Sequence, residues 1–189
     1  RGSKHYHPLK IGVMGSASGP QTVDPIAREK ARALGREIAE RGHIFINGAC
    51  PGLPQDALCA CKEAGGFTVG ISPAFSEHEH VHEYRSPHDH DLIIYTGFGY
   101  AGRNLLLTRA ADAIIFGCGR MGTLNEFTIA FEDEKPMGVL QGSWDTDELF
   151  QEIVERSQRG PGKIIYDPDP KTLVEKILAL VKEEKTVEA

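Results

Sequence analysis

Residues 97–126 read GFGYAGRNLLLTRAADAIIFGCGRMGTLNE, and the order of features in this stretch decides the fold. Ala111-Asp112-Ala113-Ile114-Ile115-Phe116 is a short, mostly apolar run with a helical pattern before it and glycines after it. That context predicts a strand buried on both faces of a parallel sheet. Gly117, Gly119 and Gly122 then let the backbone turn sharply and come close to a ligand. The tip Gly119-Arg120-Met121-Gly122-Thr123 leads into a helix starting at Thr123, whose unpaired N–H groups and dipole attract an anion. Phosphate is its natural occupant.

Two charged residues flank this anion site: Arg103 at the start of the preceding helix and Glu126 in the first turn of the following one. Together they could hold an anion and act on a sugar, which makes them the candidate catalytic pair. Each also has a plainer reading. Thr123-Leu124-Asn125-Glu126 fits a capping box, in which threonine and glutamate satisfy each other's helix-end N–H groups. Arg103 can equally be a solvated helix residue.

Outward from this stretch, strands and helices alternate. Lys10-Ile11-Gly12-Val13-Met14 is a first strand, followed by the small-residue turn Gly15-Ser16-Ala17-Ser18-Gly19, where Gly15 and Ser16 are candidate phosphate contacts. Asp24-Pro25 is an N-cap with proline at the first helical position, and Ile26, Leu34 and Ile38 mark the helix that follows. His43 to Ile46 is a second strand that opens into a second glycine turn, in which Gly48 and Gly52 are candidate ligand contacts. A helix over 55–64, a strand over 67–72, a strand over 92–95, and later elements over 136–140, 147–157, 164–166 and 170–182 complete the pattern. This order predicts an α/β fold: a Rossmann-like parallel sheet with helices on both faces, in one domain over residues 1–189. Residues 1–8 and 183–189 read as loose tails.

Composition narrows the function. At 189 residues the chain suits one well-buried domain. A net charge of −6 with no basic block predicts no nucleic-acid partner, while a small anionic ligand in a local pocket stays compatible. There is no apolar run of membrane-spanning length and no charged-then-apolar leader, so no membrane association is expected. The four cysteines, Cys50, Cys59, Cys61 and Cys118, form no CxxC pair, which predicts a reducing, cytoplasmic setting. Cys50 and Cys118 fall in glycine-rich loops, either as pocket-lining thiols or as small residues filling tight turns.

Residues 73–91 form a polar, histidine-rich segment. If His78-Glu79-His80-Val81-His82 were extended, three imidazoles would share one face, an arrangement that could hold zinc or nickel. The other reading is a polar loop without fixed geometry.

Taken together, these residues resemble the Lonely Guy (LOG) family and its Rossmann-like nucleotide-binding relatives. The spacing from Arg103 through Asp112 to Gly122, Thr123 and Glu126 is similar to the family's helix arginine and its P-G-G-x-G-T-x-x-E turn. Gly15 to Gly19 and Gly48 to Leu53 resemble its two other glycine turns. Cys118, Arg120 and Asn125 depart from the motif, and Ala49-Cys50 replaces two glycines in the second turn. The resemblance implies hydrolysis of the N-glycosidic bond of a nucleoside 5′-monophosphate, with Glu126 acting on the ribosyl transition state and Arg103 orienting the substrate. It also implies a homodimer or higher homo-oligomer and no required cofactor. Residues 96–104 are closer to a branch that includes molybdenum cofactor carrier proteins, which implies the alternative of a carrier or sensor holding a phosphorylated pterin or nucleotide without turning it over.

Overall fold

The computed structural model describes residues 7–187. In chain order the elements are β1 (Lys10–Met14), a 3-10 turn (Pro20–Val23), α1 (Pro25–Glu40), β2 (Ile44–Asn47), α2 (Leu53–Glu63), β3 (Thr68–Ser72), α3 (Glu77–His82) and β4 (Leu92–Tyr95). They continue as α4 (Gly99–Ala110), β5 (Ala113–Phe116), α5 (Met121–Glu132), β6 (Met137–Leu140), α6 (Thr146–Ser157), β7 (Ile164–Asp167) and α7 (Pro170–Val187). The seven strands form one sheet in the order β4-β3-β2-β1-β5-β6-β7. Every neighbouring pair is parallel.

The alternation of side chains along β5 shows why the sheet is covered on both sides. Ala113 and Ile115 join a core built with Leu34 and Ile38 of α1, Leu58 of α2 and Leu173 and Ile177 of α7. Ile114 and Phe116 face the opposite way, toward Leu107 of α4, Phe127 of α5 and Phe150 of α6. There the rings of Phe127 and Phe150 stack at 3.9 Å and Phe116 meets Phe127 edge-on at 5.5 Å. This aromatic trio fixes α5 against the sheet, and so fixes where the residues of its first turns point.

The structure departs from several expectations. Helix α5 begins at Met121 with Arg120 as N-cap and no side-chain cap. Thr123 therefore lies inside the first turn, and the capping box with Glu126 does not form. A Cβ on Gly119 would overlap the Thr123 side chain, so the bare glycine lets Thr123 fold back and the helix start earlier. Helix α2 starts at Leu53 rather than 55, directly after Gly52, whose φ of 81° suits glycine. The histidine segment is not extended. Ser76 caps α3, its hydroxyl accepting from Glu79 N at 3.2 Å, and His80 turns into the protein while His78 and His82 pair with each other. Three imidazoles do not share a face, and no group of metal-binding side chains is found among the described residues. Residues 183–187 continue α7 instead of fraying, and Glu184 pairs with Lys163 at 2.7 Å. The rest of the expected tails, 1–6 and 188–189, lies outside the described residues. Among the described residues no helix is long and apolar enough to cross a membrane.

Candidate functional site

At the centre of the sheet, β1 neighbours β2 on one side and β5 on the other, so the connections that follow β1 and β5 leave in opposite directions. In open α/β sheets the crevice at such a switch point is where ligands bind. A cleft of about 530 Å³ lies there. Its walls come from the β1 turn (Gly15 to Ser18), the β5 tip and first turn of α5 (Arg120 to Thr123, with Glu126), the start of α4 (Tyr100, Arg103, Asn104), and Cys50.

The turns are held to each other by backbone bonds. Ser16 N donates to Cys118 O at 2.7 Å, Gly117 N to Met14 O at 2.9 Å and Leu53 N to Ser16 O at 3.0 Å. Gly52 lies so close to Ser16 and Ala17 that a Cβ there would overlap Ser16 O. Gly52 and Gly48 thus shape the cleft without lining it. Gly119 also stands behind the surface. Its N–H donates to Thr146 Oγ1 at 3.0 Å, and the same hydroxyl donates to Gly119 O at 3.2 Å. The amides left without an intrahelical acceptor are those of Met121, Gly122 and Thr123 in the first turn of α5.

Arg103 is buried, not solvated. Its Nη1 donates to the carbonyls of Gly48 and, at 3.3 Å, Ile71, at the C-terminal ends of β2 and β3. Its carbon Cζ lies 5.9 Å from the Tyr100 ring centroid, and its Nε is buried without a partner among the described residues. Next to it, Asn104 is buried and its Nδ2 donates to Asn125 Oδ1 at 2.9 Å.

Glu126 is only 7% exposed. Burial pushes its carboxyl up to about 7, against the pull of the Arg103 charge. The Cys50 thiol feels the same pair: burial raises it to about 11, Arg103 lowers it and Glu126 raises it again. At the rim Arg120 crosses the cleft to the Ser18 hydroxyl. The cleft thus has a rim of open amides and a guanidinium, and a floor with one fixed cation and one carboxyl raised to about 7 by burial.

Of the residues expected from sequence, the structure brings Arg103, Glu126, Gly15, Ser16, Arg120, Met121, Gly122 and Thr123 into one cleft. Sequence reasoning missed Tyr100 and Asn104 as site residues, and it missed Thr146 and Asn47, which hold Gly119 and the loop that seats Arg103. Asn47, fully buried, accepts from Ala49 N at 2.8 Å and donates to Pro54 O at 3.1 Å, which holds the loop whose Gly48 carbonyl seats Arg103. His90 Nε2 lies 2.7 Å from the same Asn47 oxygen and must donate to it. A signal for Asn104 did exist: it is adjacent to Arg103 and three residues before Leu107, on the buried stripe of α4.

Residues 8–174 match the SLOG cluster4 family. The chain belongs to this family. Within its LOG-like superfamily the SLOG cluster4 chain sits on the branch that holds molybdenum cofactor carriers. An uncharacterized protein of Archaeoglobus fulgidus is 30% identical over 133 residues, 70% of this SLOG cluster4 chain and 80% of the relative. Among solved structures, the molybdenum cofactor binding protein of Rippkaea orientalis is 28% identical, with a TM-score of 0.76 over 93% of this chain and 98% of that one. The molybdenum cofactor carrier protein of Chlamydomonas reinhardtii is 25% identical, with a TM-score of 0.69 over 92% and 99%. The single-stranded-DNA-binding DNA processing protein A of Helicobacter pylori is 21% identical, with a TM-score of 0.60 over 93% and 81%, a likeness of fold alone.

Proposed function

We propose that this protein binds a phosphorylated pterin or nucleotide and carries it without turning it over. One observation carries the reading: the open first-turn amides of α5 and the buried Arg103 and Glu126 belong to the same cleft. The rim suits a phosphate and the floor suits the polar part of the molecule attached to it. The likeness to two molybdenum cofactor proteins supports a carrier over an enzyme.

The carboxyl of Glu126 supports it too. A hydrolase acting through a ribosyl cation needs a fixed negative charge beside the reacting carbon. Burial, which raises the Glu126 carboxyl to about 7, works against such a fixed charge. The same value suits a general acid or base, so phosphoribohydrolase activity is the rival reading.

The test is to purify the protein, denature it gently and identify released small molecules by mass spectrometry, alongside incubation with a panel of nucleoside 5′-monophosphates. An intact phosphorylated ligand and no free base fit the carrier. Free base and ribose 5-phosphate at catalytic rates would replace it with the hydrolase.

The same reading includes a reducing compartment, in keeping with the free thiols Cys50, Cys59, Cys61 and Cys118, and a homo-oligomer. The edge strand β4 presents Leu92 and Ile94 to the exterior, a surface a second copy could cover. Light scattering on the eluting peak checks it, and a monomer would remove that part. No nucleic-acid partner is included, given the net charge of −6. Saturable binding of single-stranded DNA at physiological salt would reverse this.

A further inference from the structure

We propose that the floor of the cleft reads the edge of a planar ring, with Arg103, Asn104 and Glu126 selecting the 2-amino-4-oxopyrimidine edge shared by guanine and pterins over the adenine edge. The inference rests on the binding reading above and narrows it to a ligand class.

Asn104 gives its Nδ2 to Asn125 Oδ1 at 2.9 Å, which leaves its own Oδ1 as an acceptor. That oxygen is buried and has no partner among the described residues. Glu126, the residue after Asn125, brings a second buried acceptor when ionised. Arg103 has only donors. Its Nη1 is committed to Gly48 and Ile71, while its Nε is buried and without a partner. Asn104 follows Arg103 in α4, and Asn104 is bonded to the residue before Glu126 in α5, so the three groups form one linked set that lines the cleft.

Together they offer one donor and two acceptors. The complement on a ring edge is one acceptor and two donors: a carbonyl oxygen, a ring N–H and an exocyclic amino group. Guanine and pterins present that set. Hypoxanthine lacks the amino group and leaves one buried acceptor unpaired. Adenine offers one amino donor beside a bare ring nitrogen, so an acceptor of the floor meets a C–H or a lone pair. Leaving a buried polar group unpaired is what makes hydrogen-bonded sites selective, and one such defect costs about tenfold or more in affinity. The rim stays the same for all these ligands, because the phosphate falls to the α5 amides and Arg120.

Protonation ties the floor to the ring. Glu126 faces Arg103 on α4 and the Cys50 thiol on the β2–α2 loop. An N–H donor on the carboxyl favours its ionised form, so a ligand with this edge should drive a proton off the protein when it binds below neutral pH.

Calorimetric titration of the full chain with GMP, IMP, AMP and 6-hydroxymethylpterin monophosphate tests the inference. GMP, the pterin phosphate or both should bind at least tenfold tighter than AMP, with IMP between. The stronger of the two tells which source the cleft prefers. Binding of the preferred ligand at pH 6, repeated in two buffers of different ionisation enthalpy, should show net proton release. In Glu126→Gln the preference over AMP should collapse to within threefold. AMP binding within threefold of both GMP and the pterin phosphate in the wild-type protein overturns the inference and leaves the binding reading standing. An equal loss for every ligand in Glu126→Gln overturns it as well, since the carboxyl would then be serving the sugar or the phosphate. If the variant fails to fold, absence of proton release by the wild type overturns it instead. No binding by any of the four overturns both this inference and the function proposed above.

Discussion

Arg103 occupies the space that a side chain at position 48 would need: a Cβ on Gly48 would overlap Arg103 Nη1, the nitrogen that donates to the Gly48 carbonyl. The guanidinium can be buried because glycine stands there. Gly48→Ala should expel Arg103 from its seat and leave the Gly48 and Ile71 carbonyls without it. The expected cost is about 2 kcal/mol, the scale of overpacking a filled interior. Urea unfolding measures it, and an unchanged midpoint would mean that Arg103 has another resting place.

Glu126 holds its proton more tightly in the fold than in the unfolded chain, about 7 against 4.5. A carboxyl raised in this way contributes stability that is complete below pH 4.5, declines as pH rises and is gone above about pH 7. The displacement corresponds to about 3 kcal/mol at most. Glu126→Gln stays neutral throughout. It should match the wild type near pH 4 and exceed it at pH 8, as read by denaturant unfolding at each pH. A constant difference over that range would show that the carboxyl ionises normally in the fold.

His90 works in the opposite direction. Burial first, and the neighbouring His80 second, push its imidazole down from 6.5 to about 4. The neutral ring donates through Nε2 to Asn47, and its Nδ1 is buried without a partner among the described residues. Stability from this group is complete above pH 6.5 and is lost as pH falls toward 4. His90→Gln keeps an N–H donor for Asn47 but does not titrate. Its stability relative to the wild type should therefore rise between pH 6.5 and pH 4. If the two proteins keep a constant difference there, His90 is not the acid-sensitive group.

Thr146 steadies the β5 tip from α6 by bonding both backbone groups of Gly119. Thr146→Val removes the hydroxyl while keeping the shape. The expected loss is about 1 kcal/mol, together with faster hydrogen exchange at the Gly119 amide. Thr146→Ser should restore slow exchange. Slow exchange in the valine variant would mean that the tip holds itself.

Much of the fold was legible because its signals are short-range. The apolar run 113–116, the Asp24-Pro25 helix start and the glycine turns after β1 and β5 each declare themselves within a few residues. The misplaced boundaries have non-local causes. α5 starts at Met121 because Gly119 yields its space to Thr123 and its amide to Thr146. Thr123-Leu124-Asn125-Glu126 looked like a capping box because local spacing cannot tell a cap from one side of a buried stripe. Thr123, Glu126, Phe127 and Ala130 are that stripe, at helical spacing, and reading Glu126 against Phe127 would have disclosed its burial. The histidine run misled for the reverse reason. Its alternation has no meaning in a helix, and Ser76 with Glu79 makes the helix.

The alternating α/β order and the glycine turn after the fifth strand follow from the chain alone, since apolar periodicity and glycine placement act between near neighbours. What became of the charged pair depends on long-range packing. Arg103 is seated by carbonyls 55 and 32 residues away, and Glu126 ionises near neutrality because packing takes it out of water. Desolvation and distant backbone partners set both outcomes, and neither is a property of any short stretch of chain.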